Sequence, residues 1–165
     1  MNKKYNYKNL KWLWLSILIM LLDIGTKYWV KTHFWIGEVL SILPGINCYY
    51  VCNPGLAFGL FTNANLYYRW IFVWIITLVI VVFIVALYKL IERPKCYSIS
   101  YSMVIGGALG NLLDRILYGT VVDFIDVHIK SWHWPTFNVA DIAICIGITI
   151  LTIRYYYDFV KNNLY

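Results

Sequence analysis

Charge is scarce in this chain. Only 13% of its 165 residues are Asp, Glu, Lys or Arg, against 61% hydrophobic. A water-soluble domain is nearer a quarter charged and half apolar, so the composition excludes an ordinary soluble globule. Metal-binding patterns are missing too. The four cysteines, at 48, 52, 96 and 145, form no CxxC pair and no zinc spacing. Cys48 and Cys52 could pair on an oxidising face, or all four could be free, partly buried thiols. No GxSxG or comparable serine nucleophile site occurs. Long low-complexity runs and clear internal repeats are also absent. Chemistry, if the chain performs any, must come from a few polar side chains in an apolar setting.

The apolar residues are blocked rather than spread. Trp70 to Tyr88 runs nineteen residues without a charge; at 1.5 Å per residue that is roughly 28 Å, one hydrocarbon thickness. Four spans are expected, near 12–30, 66–88, 98–117 and 138–157, in a single membrane domain covering 1–165. The first follows a basic start, M-N-K-K-Y-N-Y-K-N-L-K, and lacks a small-x-small cleavage site. It therefore reads as an uncleaved signal anchor.

The net charge of +6 does not mark a nucleic-acid surface, because the basic residues sit between apolar runs. Nine of the fourteen Lys and Arg fall at the N-terminus, in the connection between spans two and three, and at the C-terminal end. Five belong to the other side: Lys27, Lys31, Arg69, Arg115 and Lys130. This bias predicts both termini in the cytoplasm. Segments 31–65 and 118–137 then share the outer face, with Tyr67, Tyr68, Trp70, Trp132 and Trp134 as an aromatic belt. Within 31–65, W-I-G-E-V-L-S-I-L (35–43) reads as an interfacial helix, I-N-C-Y-Y-V (46–51) as a strand and N-P-G (53–55) as a turn. The fold expected is an all-α membrane protein whose small extracytoplasmic cap contains β-structure.

Polar residues at membrane depth are costly and mark function by default. Asp23 and Lys27 lie four apart on the first span, in the favourable order for an ion pair. On the third, Gly106 and Gly110 form a small-xxx-small face for close helix contact. Gly107, Asn111 and Arg115 continue one stripe, with Asp114 at its edge. Asn138 and Asp141 open the fourth span, where they fit an N-cap and a first-turn acid. Asp123 enters the membrane surface from the same side, within V-V-D-F-I-D-V (121–127). Asp126 points elsewhere if that stretch is extended and reads as solvated. His128 and His133 read as interfacial.

Two carboxyl groups a few ångström apart cannot both ionise easily, so one retains a proton. A single site then holds a general base and a general acid near neutral pH, which suits metal-free peptide hydrolysis. Asp123 and Asp141 are the candidates for such a pair. A proton-coupled transporter would also carry membrane acids, but here they gather at one face and no paired broken helices occur. A thiol redox protein using Cys48 and Cys52 is a weaker reading.

At these residues the chain closely resembles the lipoprotein signal peptidases, or signal peptidase II family. D-I-G-T-K (23–27), N-P-G-L-A-F (53–58), G-N-L-L-D-R (110–115), V-V-D-F-I (121–125) and F-N-V-A-D (137–141) resemble its motifs in a single order. The resemblance implies an aspartic endopeptidase without cofactor or metal, with Asp123 and Asp141 as catalytic dyad. Asn53, Gly55, Gly107, Asn111, Arg115 and Asn138 would bind substrate or orient the dyad, with Asp23 and Lys27 as structural support. The substrate would be a prolipoprotein whose cysteine carries diacylglycerol, cut just before that cysteine at the outer face. Globomycin, a cyclic peptide inhibitor of the family, would bind the dyad. W-H-W-P (132–135) looks like members from Gram-negative bacteria and implies the inner membrane. A monomer is expected, since both acids lie in one chain. Pro54 and Leu56 depart from the usual motif and bear on substrate range; Pro54 removes one backbone donor.

Overall fold

The computed structural model describes residues 7–55, 66–90 and 93–164. A 3-10 turn at Tyr7–Trp12 leads into α1 (Leu13–His33), followed by β1 (Val39–Leu43), β2 (Ile46–Asn53), α2 (Leu66–Lys89), α3 (Lys95–Tyr118), β3 (Val121–Ile129), β4 (Trp132–His133) and α4 (Val139–Leu164). The molecule is thus mostly helical, with an antiparallel sheet in the order β1-β2-β3-β4. Leu56, Ala57 and Phe58, the rest of the expected cap to residue 65, and Lys3 and Lys4 lie outside the described residues, as do the Tyr67 and Tyr68 side chains.

Among the described residues, three helices are long and apolar enough to cross a membrane: Lys8–His33, Arg69–Lys89 and Val139–Asn163. Many of their large apolar side chains point outward. On α2, Ile71, Trp74, Ile75, Leu78 and Val82 are all exposed, a stripe at helical spacing that suits contact with lipid. The other expected span, α3, is as long but more polar, and its place in the fold explains why. It packs against α1, α2 and α4, so its buried side chains meet protein rather than lipid. Ser100 and Ser102 are fully buried in it. A methyl group at Gly106 would lie 2.7 Å from the Ser16 carbonyl oxygen of α1, so glycine is what permits that helix contact. Ser16 itself donates to the Ser102 carbonyl at 2.7 Å.

The expected interfacial helix at 35–43 is not there. Residues 36–37 form a turn and Val39–Leu43 pairs with β2, Val39 opposite Tyr49. Gly37 and Gly45 adopt φ of +90° and +85°, left-handed backbone that disfavours a helix and favours turns. The cap also has a wider source than 31–65, because β3 supplies one of its two inner strands. Asp126 lies opposite Asn47, Asp123 opposite Val51 and Val121 opposite Asn53. Val30, Cys48, Tyr50 and Val122 form the buried cluster that seats the sheet on the end of α1.

Candidate active site

Asp123 lies on β3 and Asp141 in the first turn of α4. Phe137 bridges the two elements: its N–H donates to the Ile125 carbonyl, and its own carbonyl accepts from Phe124 and Ile125. Asn138 follows and caps α4. Its side-chain Oδ1 accepts from the Asp141 N–H at 3.0 Å, while Asp141 Oδ2 accepts from the Asn138 N–H at 3.2 Å. This is a reciprocal capping box. A capping role and a site role therefore coexist, because the Asn138 amide nitrogen also donates to Asp123 Oδ1 at 2.7 Å. One fully buried asparagine thus touches both acids.

Asn53 ends β2. Its Nδ2 donates to Asp123 Oδ2 at 2.9 Å and its Oδ1 accepts from the Gly55 N–H at 3.0 Å. That turn closes around Pro54, so the missing proline N–H costs it no hydrogen bond. Arg115, buried on α3, donates to the Gly55 carbonyl at 3.0 Å and lies within electrostatic reach of both acids. Asn111 serves Asp141, donating through Nδ2 at 2.8 Å. Its Oδ1 accepts from Lys27 at 2.9 Å and from Asn138 at 3.1 Å, which fixes the amide orientation.

Lys27 and Asp23 do more than pair at 2.6 Å. Lys27 also meets Asp114 at 3.2 Å. Asp23 Oδ1 accepts from the Ala140 N–H at 2.9 Å, so a carboxylate on α1 satisfies an otherwise orphaned donor at the start of α4. The residue next to Asp141 is therefore anchored from another helix. Gly107 takes a different position from the one expected: it lies against Ala140 and Ile144, at the α3–α4 packing seam rather than on the cavity wall.

A cavity of about 470 Å³ opens onto both acids, and Asn53, Asn111 and Arg115 share its lining. The remaining walls are largely apolar, with Trp134, Pro135 and Phe137 on one side and Ile142, Ile144, Cys145 and Ile146 of α4 on the other. Burial raises the Asp123 carboxyl to about 6, against the hydrogen bonds from Asn53 and Asn138; the Asp141 charge adds to the rise and Lys27 opposes it. Among the described residues no group of three or more His, Cys, Asp and Glu is placed to hold a metal ion.

Other expectations fare differently. Asp126 is not solvated: it is 3% exposed. Its carboxylate accepts from Asn47 at 2.8 Å and lies 2.8 and 3.0 Å from His133 Nδ1. Burial would push Asp126 up, but the bonds from His133 and Asn47 hold it below the usual carboxylate range. His128 stacks on His133. Cys48 and Cys52 are both free thiols, and Cys52 contacts the Tyr50 hydroxyl at 3.7 Å. Sequence reasoning missed the apolar α4 wall, although Ile144 and Cys145 stand three and four residues beyond Asp141 and so share its face. The Asp23 cap on α4 left no local signal.

Comparison with known proteins identifies the family. The family model for signal peptidase (SPase) II matches residues 15–157. The chain is 93% identical over its whole length, and over the whole of the relative, to a lipoprotein signal peptidase from Blochmanniella pennsylvanica. It is 42% identical to a lipoprotein signal peptidase from Photorhabdus laumondii, covering 93% of this chain and 92% of that one. Two solved bacterial membrane enzyme structures superpose with TM-scores of 0.84 and 0.79, at 28% and 29% identity. The first covers 98% of this chain and 95% of its own, the second 94% and 97%. Two acids on one cavity at the end of a membrane helix bundle, Asp123 buried and Asp141 partly so, with this family match over most of the chain, place it: it belongs to the signal peptidase II family.

Proposed function

We propose that Asp123 and Asp141 are the catalytic dyad with which this membrane enzyme removes signal peptides from prolipoproteins. The observation that carries the reading is the pair of acids on one cavity, Asp123 buried and Asp141 partly so, each held by an asparagine that also touches the other acid's support. One proton is shared by the pair, and burial favours its residence on Asp123. The ionised partner takes a proton from a water held in the cavity. That water attacks the scissile carbonyl, and the protonated acid delivers its proton to the departing amine. The products are a signal peptide ending in a carboxylate and a lipid-modified cysteine with a free amino group.

Arg115 and Asn53 secure the turn over the dyad, while Asn111 and Asn138 aim the carboxylates. Ile142, Ile144, Cys145 and Ile146 offer an apolar wall for a substrate that arrives within lipid, diacylglyceryl-cysteine included. In this reading α3 completes four spans, both termini are cytoplasmic, and the dyad faces the periplasm from the inner membrane. The enzyme works as a monomer, and globomycin occupies the dyad cavity. The test is processing of a diacylglyceryl-modified prolipoprotein by Asp123→Asn and Asp141→Asn variants in membranes. Cleavage by either variant at a rate near the parent enzyme's would overturn the dyad.

A further inference from the structure

A second cavity, of about 350 Å³, lies beside the first, bounded by Asn47, Tyr49, Asp126 and His133. Its volume is within the range of binding sites rather than of packing voids. Trp134, Pro135 and Thr136 line both cavities, so a chain leaving the dyad over this wall passes directly from one to the other. The two differ in chemistry. The catalytic cavity runs along Ile142, Ile144 and Ile146 of α4, whereas the second rests on the sheet, over the side chains of β2 and β3.

The polar lining of the second cavity is built in. Asp126 is 3% exposed, yet it is held from two strands, by Asn47 on β2 and His133 on β4. A carboxylate with a buried setting needs such partners, and its two oxygens have room for about four hydrogen bonds. The contacts from Asn47 and His133 leave acceptor capacity on a residue that lines the cavity. The wall is fixed as well: next to His133, the Trp134 N–H donates to the Val127 carbonyl at 2.8 Å. None of this is needed to hold the dyad, which has its own supports.

A prolipoprotein presents two unlike halves to the enzyme, an apolar segment with its lipid and a polar peptide beyond the cysteine. We propose that the Asn47–Asp126–His133 cavity is a subsite for that polar peptide, accepting hydrogen bonds from its backbone and favouring a cationic over an acidic side chain through Asp126. The inference rests on the dyad reading, and its test separates the two.

The test measures cleavage by the parent enzyme, in detergent, of synthetic diacylglyceryl substrates extended by one to four residues beyond the cysteine. KM should fall with the extension while kcat holds. At the second or third added residue, Lys should be preferred to Glu by about three- to fivefold in KM, the scale of a partly screened charge contact. Asp126→Asn should erase the Lys–Glu difference, and Asn47→Ala should weaken the dependence on length. A KM indifferent to extension and charge in the parent enzyme overturns the subsite without any variant having to fold, and so does a preference that survives Asp126→Asn. Loss of the dyad reading shows separately, as cleavage of these same substrates by Asp123→Asn.

Discussion

The two ends of the helix bundle hold the same kinds of residue in opposite settings. Where α1, α3 and α4 meet the sheet, Asp23, Lys27, Asn111, Asp114, Arg115, Asp123 and Asn138 are all buried, and their contacts interlock: Lys27 meets Asp23, Asp114 and Asn111, and Asn138 meets Asn111 and Asp123. At the far end, Asp158 also meets two arginines, Arg93 at 2.8 Å and Arg154 at 3.4 Å, but the Arg93 side chain is 47% exposed. A charge pair that water can reach contributes little, whereas removing one partner from a buried network strands the others. The contrast teaches where this chain concentrates its constraint: around the cavity, with the opposite end held by exposed pairs and by tyrosines such as Tyr97 on Asp158.

That contrast can be broken most sharply at the proposed dyad. Asp123→Asn and Asp141→Asn should each lower the cleavage rate by about 10³-fold or more, measured on lipid-modified substrate in membranes. Melting of Asp123→Asn in detergent should change far less, because burial already favours the uncharged form of that acid. Next in size is Lys27→Ala, which leaves Asp23 and Asp114 facing each other without their shared cation. It should cost about 3–5 kcal/mol by denaturant titration in detergent; a loss under 1 kcal/mol would place this end on a par with the exposed one.

A smaller effect concerns pH. The Asp123 carboxyl is raised to about 6 by burial, so its proton is held below that pH and lost above it. For this raised acid, the stabilising protonated state is fully present below about pH 4 and gone once pH passes about 6. The alkaline limb of kcat/KM should fall near 6 for the same reason. Asn53→Ala removes a donor that favours the charged form, so it should move that limb upward, by about half a unit to one unit. A downward shift in the pH–rate profile would contradict the proposed residence of the proton. Least of all, Arg93→Ala should leave activity and melting temperature unchanged within error, which marks the far end as solvated.

Much of the site was legible in the order of residues. Asp123, Asp141, Asn138, Asn111 and Arg115 stand out because a polar group beside an apolar run demands a partner. The Asp23–Lys27 pair is readable from a four-residue spacing on a helix. Less legible was Gly107, whose position on the polar stripe suggested a cavity wall; close packing against Ala140 and Ile144 placed it in the helix seam. Asp126 misled in the other direction. Charge and its place outside the spans pointed to water, but β2 and β4 close over it and supply its donors. At 35–43 an apolar run suited a surface helix until pairing with β2, visible only in three dimensions, made it a strand. Short apolar runs carry no periodicity that separates the two.

By itself, then, the sequence determined three of the four expected membrane-crossing segments, the end of the bundle at which Asp123 and Asp141 meet, and the family. Burial of long apolar runs and the cost of lone polar groups are local properties, written in composition and spacing. Tertiary structure decided which groups touch: that Asp23 on α1 anchors the start of α4, that Asn138 joins the two acids, and that β3 brings Asp123 to a cavity walled by α4. Those contacts link residues up to 117 positions apart, and hydrogen-bond geometry across such a distance is set by how helices and strands pack.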